Sequence, residues 1–257
     1  MLEYVGYVSR GQVHKTNDDA AMLNHSVIHN GIFCGKTETD EGLFAVADGV
    51  GSVKHSELAS REVLNCLREC EADQSERIRQ RICEANENLI KFSRQYDYDR
   101  IISTTLCMVS IMESSIISYN LGNSRLYRFR GGYLRLLTKD HTKVQEMIDA
   151  GFMDIEFAKN YPDKGIITRF IGSENFSEEW IDITKRSENI ESGDILMLCS
   201  DGIHDYVDIE LLEEILSVDA SLNELADVII RCANDTGGCD NATVVLIRKI
   251  DYQLQEK

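Results

Sequence analysis

The sequence contains one proline, Pro162, one tryptophan and no low-complexity tract. That leaves no Pro- or Gly-rich stretch to act as an interdomain linker. Residues 1–250 therefore read as one domain, large enough to bury a substantial core, with 251–257 as a C-terminal tail. No apolar run approaches the ~18 residues of a membrane span. The first ten residues lack the basic-then-apolar order of a secretion signal. A cytoplasmic protein with no membrane partner is expected. Basic residues are also scarce: 27 Lys and Arg stand against 44 Asp and Glu, a formal net charge of −17, with no basic run. Such a field repels nucleic acid and excludes it as an expected partner. The acid excess serves solubility and attracts cations. No feature of the sequence calls for an oligomer, and a monomer is expected.

The eight cysteines, at 34, 66, 70, 83, 107, 199, 232 and 239, mostly fall within apolar patterns. Without a secretion signal they read as buried thiols of a reducing compartment. Cys66 and Cys70 have a spacing that suits zinc, but no second ligand pair lies near them, so core packing is the preferred reading. None sits in a phosphate-binding Cys-x5-Arg loop.

Alternating or continuous apolar runs predict strands at 43–47, 104–111, 116–120, 124–130, 133–137, 194–199 and 242–247. Gly131-Gly132 has the spacing of a tight hairpin. Helical periodicity appears from Ala59 to Cys70 and from Ile78 to Phe92, then near Ile209–Leu216, and again after the capping box Ser221-x-x-Glu224. Short turns between strands imply antiparallel pairing. Two helix pairs and about ten strands fit an α+β fold: a four-layer α-β-β-α sandwich of two stacked antiparallel sheets flanked by helix pairs. The stretch from about 141 to 175 breaks the strand pattern and reads as a helical insertion.

Three aspartates follow apolar or Gly-rich approaches and stand next to small residues: Asp48 before Gly49, Asp201 before Gly202, and Asp240 after Gly237-Gly238-Cys239. A carboxylate at the end of a buried strand is destabilising unless it is paired or bound to a cation. Glycine after the aspartate frees the backbone carbonyl to turn toward such an ion. An all-oxygen site suits Mg²⁺ or Mn²⁺. Asp-Gly is also a common turn, and spacing alone leaves that reading open.

Eight motifs in order resemble the protein phosphatase 2C family over nearly the whole chain. They are Gly11-x-x-His14-x-x-Asn17-Asp18-Asp19-Ala20; Phe44 to Gly51; Ser103-Thr104-Thr105; Leu121-Gly122-Asn123-Ser124-Arg125; Leu137-Thr138-Lys139-Asp140-His141; Thr168-Arg169-x-x-Gly172; Leu198 to Gly202; and Asp240-Asn241-Ala242-Thr243. The resemblance implies a compact, bacterial-type metal-dependent phosphoserine and phosphothreonine protein phosphatase. It implies two Mn²⁺ or Mg²⁺ ions, with Asp48 bridging them and the Gly49 carbonyl on one. Asp201 and Asp240 would hold the second, and Asp18 would lie close to it. Asp19 and Asn241 become supporting residues behind the ligands. Hydrolysis by a metal-bridging hydroxide follows from that arrangement. The insertion at about 141–175 matches the family's variable flap, and phosphoproteins tied to a serine/threonine kinase are the implied partners.

Some positions depart from the family. His14 stands where an arginine usually grips the phosphate, so weaker binding that improves at lower pH is expected. Asn123 replaces an aspartate and is read as structural. Asp18 is one methylene shorter than the usual glutamate. Asp99 is the nearest candidate for a weak third ion, but its register is one residue off, and a solvated acidic turn is the preferred reading of Asp97 and Asp99. Two alternatives stay open: a weakly active or inactive relative that binds phosphoproteins, and a different metal hydrolase such as a phosphodiesterase.

Overall fold

The computed structural model describes residues 1–50, 55–96, 98–113, 115–158, 161–187 and 190–250. Gly51, Asp97 and the tail 251–257 lie outside the described residues. Among the described residues, twelve strands form two six-stranded sheets. The first runs β4 (Gly31–Lys36), β1 (Leu2–Ser9), β12 (Ala242–Lys249), β11 (Ile195–Cys199), β8 (Arg125–Arg130), β9 (Tyr133–Leu136). The second runs β10 (Asp182–Arg186), β7 (Ser115–Leu121), β6 (Leu106–Met112), β5 (Gly42–Asp48), β2 (Asp19–Leu23), β3 (Ser26–Ile28). Every strand pairing among the described residues is antiparallel. Gly131 and Gly132 both take positive φ, 60° and 88°, which the two-residue turn between β8 and β9 requires.

Alternation along the strands divides the apolar side chains among three cores. Between the sheets lie Leu2, Leu23, Phe44, Val46, Val109, Leu196, Leu198 and Val245. The opposite face of the second sheet, with Met22, Ala45 and Met108, is covered by α1 (Ser56–Leu67) and α2 (Ser75–Gln95) through Val63, Leu64, Ile78, Ile82 and Leu89. The outer face of the first sheet, with Val5, Met197 and Leu246, is covered by α6 (Ile209–Leu216) and α7 (Leu222–Asp235) through Leu212, Leu225 and Ile229. The Ser221–Glu224 capping box closes the start of α7. Each fully buried Leu or Phe contributes ~1.5–3 kcal/mol. The expected α-β-β-α sandwich is the observed one.

Among the described residues there are also three shorter α-helices, α3 (Lys143–Asp149), α4 (Ile155–Ala158) and α5 (Asp201–His204), and a 3-10 turn at Glu178–Trp180. The first two form the helical insertion anticipated after residue 141. Cys66 and Cys70 belong to the core under α1 and α2, as the packing reading required. The cysteines are less buried than their patterns implied. Only Cys70, Cys107 and Cys199 are buried, while Cys34 and Cys239 are exposed. Cys34 lies on an edge strand, and Cys239 lies in a loop that an apolar pattern cannot describe.

Candidate active site

The two sheets bring their strand ends together at one side. β5 delivers Asp48 as its last residue, and β2 delivers Asp19 in register opposite it. From the other sheet, β11 leads into Ser200 and Asp201, and β12 begins just after Asp240 and Asn241. A cavity of about 220 Å³ opens between them, lined by His14, Asp18, Asp48, Asn123, Asp201 and Asp240, with Gly49, Thr105, Gly165 and Ile167 among its walls. Residues far apart in sequence therefore meet because both sheets end at the same edge.

Each carboxylate is positioned by its neighbours. The Asp48 carbonyl accepts from Thr105 N at 2.8 Å and from the Thr104 hydroxyl at 2.8 Å, while Asp48 N donates to Thr105 Oγ1 at 3.0 Å. Asp19, buried behind the cleft, accepts the Ser200 and Thr243 hydroxyls on Oδ2, both at 2.7 Å. Asp18 Oδ2 accepts from the Ser56 hydroxyl at 2.8 Å, and Asp18 N donates to Asn241 Oδ1 at 2.8 Å. The Asn241 amide also donates to the carbonyls of Arg10 and Thr16, at 2.8 and 3.1 Å. Asn241 thus ties the loop carrying His14 and Asp18 to the start of β12, rather than acting on Asp240 alone. His14 Nε2 lies 2.9 Å from the Cys239 carbonyl. A carbonyl only accepts, so that nitrogen carries the proton.

The glycines after Asp48 and Asp201 have a reason that the sequence does not reveal. A Cβ on Gly49 would stand 2.5 Å from Ser56 O, and one on Gly202 would stand 1.8 Å from Asn241 O. Backbone segments cross there too closely for any side chain.

The electrostatics are those of crowded acids. Burial raises the Asp48 carboxyl well above the usual range, and repulsion from Asp19, Asp201 and Asp240 adds to it. Asp19 is raised by burial, against the pull of its two hydroxyl donors. Asp240 is raised by burial and by Asp201. Two buried oxygens, Asp18 Oδ1 and Asp19 Oδ1, have no hydrogen-bond donor among the described residues. Such a set is destabilising as it stands and is relieved by cations. Among the described residues no three Asp, Glu, His or Cys side chains stand close enough together to hold a metal ion by themselves. Separated oxygens around an open cleft instead suit a hard ion that keeps several waters, as Mg²⁺ and Mn²⁺ do. On these grounds the donor set fits the ions that the sequence called for.

Asp18, Asp48, Gly49, Asp201, Asp240, Asn241 and His14 all line the one cleft. Asp99 is exposed and is not among its lining residues. Asn123, which the sequence marks only as a structural replacement for an aspartate, donates Nδ2–H to Asp201 Oδ2 at 2.9 Å, and its backbone carbonyl meets His204 Nε2 at 3.0 Å. Sequence reasoning missed Ser56, Ser200 and Thr243. Only a small polar residue beside an acidic motif hinted at Ser200 and Thr243, and Ser56 carried no local signal.

Comparison with known proteins places this geometry. The profile of the protein phosphatase 2C family matches residues 26–243. The chain is 30% identical over 241 residues to the serine/threonine phosphatase stp of Listeria monocytogenes, covering 90% of this chain and 93% of that one. It is 29% identical to the protein phosphatase PhpP of Streptococcus pneumoniae, covering 92% and 93%. Among solved structures, the Mycobacterium tuberculosis serine/threonine phosphatase PstP/Ppp superposes with a TM-score of 0.81 at 26% identity, over 98% of this chain and 100% of that one. The catalytic domain of PstP in complex with two manganese ions superposes with a TM-score of 0.78 at 26% identity, over 98% and 100%.

Proposed function

The chain belongs to the protein phosphatase 2C family, and from that premise we propose that it is a protein serine/threonine phosphatase dependent on two divalent cations, Mn²⁺ or Mg²⁺. The observation that carries the metal dependence is the convergence of Asp18, Asp48, Asp201 and Asp240 on one cleft, with orphaned carboxylate oxygens behind and within it. Asp48 and the Gly49 carbonyl, with Asp201, Asp240 and Asp18, would hold the ions. When bound, such ions would activate water and withdraw charge from the phosphoryl oxygens.

The chain's own residues prepare that chemistry. Thr104 and Thr105 fix the backbone at Asp48, Asn123 orients Asp201, and Ser200 with Thr243 hold Asp19 in place. Held at the cleft by the Cys239 carbonyl, His14 meets the substrate phosphate in place of the family's arginine. Gly165 and Ile167 form the wall contributed by the flap at 141–175. Asp99 has no part in a two-ion site. Phosphoproteins are the substrates, and the kinases that make them are the functional counterparts.

Titrating Mn²⁺ into assays with phosphoserine and phosphothreonine peptides tests the reading. Turnover should appear with the metal and fall by at least ~10²-fold in Asp201→Asn. Bound Mn²⁺ without turnover would instead establish a phosphoprotein-binding module. Preference for diesters over monoesters would establish a phosphodiesterase.

A further inference from the structure

We infer that Lys164 and Asp205 form a latch that seats the flap wall on the cleft, which makes both specificity-determining residues for phosphopeptide substrates. The substrate in this statement rests on the phosphatase reading above, but the latch itself does not.

The flap is anchored unevenly. At its returning end, Ile171 and Thr104 exchange backbone hydrogen bonds, both 3.0 Å, and the Thr104 hydroxyl holds the Asp48 carbonyl. Buried Asn86 of α2 accepts from Gly172 N and Ser173 N at 2.8 and 2.9 Å and donates to Ser173 O at 3.2 Å. At its leaving end, His141 N donates to Gly122 O and Thr168 N donates to His141 O, each at 2.8 Å. Between these roots lie Gly165 and Ile167, the residues that reach the cleft. The turn just before them is held by long bonds, Lys164 N to Tyr161 O and Ile166 N to Asp163 O, both 3.2 Å.

Lys164 Nζ lies 3.0 Å from the Asp205 carboxylate. Asp205 caps the C-terminus of α5, and its own N–H bonds the Asp201 carbonyl at 2.9 Å. His204 approaches the Asp205 carboxylate at 3.5 Å and donates Nε2–H to the Asn123 carbonyl, while the Asn123 amide holds Asp201. Burial pushes the Asp205 carboxyl up, but the neighbouring His204 and Lys164 side chains outweigh it and bring it down to about 2. The lysine thus docks onto a fixed anion on the helix that begins with Asp201. Backbone bonds from Lys143 N to Ile166 O at 2.9 Å and from Thr168 N to His141 O at 2.8 Å hold the far side of the wall, so the partly exposed ion pair acts on the turn at 161–165, which opens more readily than the buried roots. A small aryl phosphate enters without needing the wall, whereas a peptide is gripped between the wall and the sheet edge.

Hydrogen exchange at the amide of Ile166 and steady-state kinetics test the latch. The proteins compared are the parent, Lys164→Ala, Asp205→Asn, their double variant and Lys164→Arg. Exchange should speed up roughly two- to five-fold in either single variant. It should be no faster in the double variant and should return to parent values in Lys164→Arg. KM for a phosphothreonine peptide should rise by about the same factor, while kcat for p-nitrophenyl phosphate stays within about twofold. Unchanged exchange in both single variants, or multiplied effects in the double, overturns the latch. Faster exchange with unchanged peptide KM overturns its role in specificity. Exchange needs no turnover, so an inactive parent would count against the phosphatase reading while the latch is still decided.

Discussion

Asp48 and Gly165 line the same cleft but are held there by different means. Asp48 stands on a central strand, its backbone bonded on both sides by Thr104 and Thr105, with a packed core on each face of its sheet. Gly165 follows a loosely bonded turn in a segment that exposes Phe152, Ile155 and Phe157. One wall is stiff because charge must be placed to a fraction of an ångström. The other is lightly held, which on the proposed function would let it accommodate substrates of different shape. Chemistry and selectivity would then fall to regions of unequal local stability.

That contrast can be broken most severely at Asp48. Asp48→Ala should lower the Mn²⁺-supported initial rate by ~10³-fold or more, with unchanged far-UV circular dichroism. His141, at the flap root, should sharpen it through pH. Burial, then the charge of Arg169, lowers its pKa to about 4, and its Nδ1 accepts from Gly122 N at 3.3 Å. Between the ordinary value of 6.5 and about 4, the unfolded chain binds the proton and the folded one does not. Stability is therefore lost as pH falls through that window. Denaturant titrations of parent and His141→Gln should diverge there by up to about 3 kcal/mol, the parent losing more. Asn86→Ala strands the Gly172 and Ser173 amides and should cost about 2 kcal/mol in the same titrations. Phe152→Ser, on the exposed flap surface, should shift stability by no more than ~0.5 kcal/mol. A larger shift would show that the flap is part of the core.

The layers were legible because period-two and helical patterns report which face is buried, as in α2, where Ile78, Ile82, Ala85 and Leu89 all point inward. The acidic positions were legible because Asp-Gly after an apolar strand is a local signal. Asn123 was read as merely structural, yet it bonds an aspartate 78 residues away. Ser200 and Thr243 escaped because their partner, Asp19, lies 181 and 224 residues distant. Nothing local marks a hydroxyl that will meet a carboxylate across two sheets. The close approach at Gly202 was likewise hidden, since the atom that it would strike belongs to Asn241.

The strand order has a kinetic consequence. All six strands of the second sheet fall within residues 19–186, a stretch that also contains β4, β8 and β9 of the first sheet. In the first sheet, β1 pairs with β12, joining Leu2 to Lys249. Closing so long a loop is slow, because its entropy must be lost before the contacts repay it. Asp48 can therefore be in place while the ribosome is still working, but Asp240 arrives only when the last strand inserts beside the first. With Asp240 holding an ion as proposed, a newly made chain would gain activity only after that final docking.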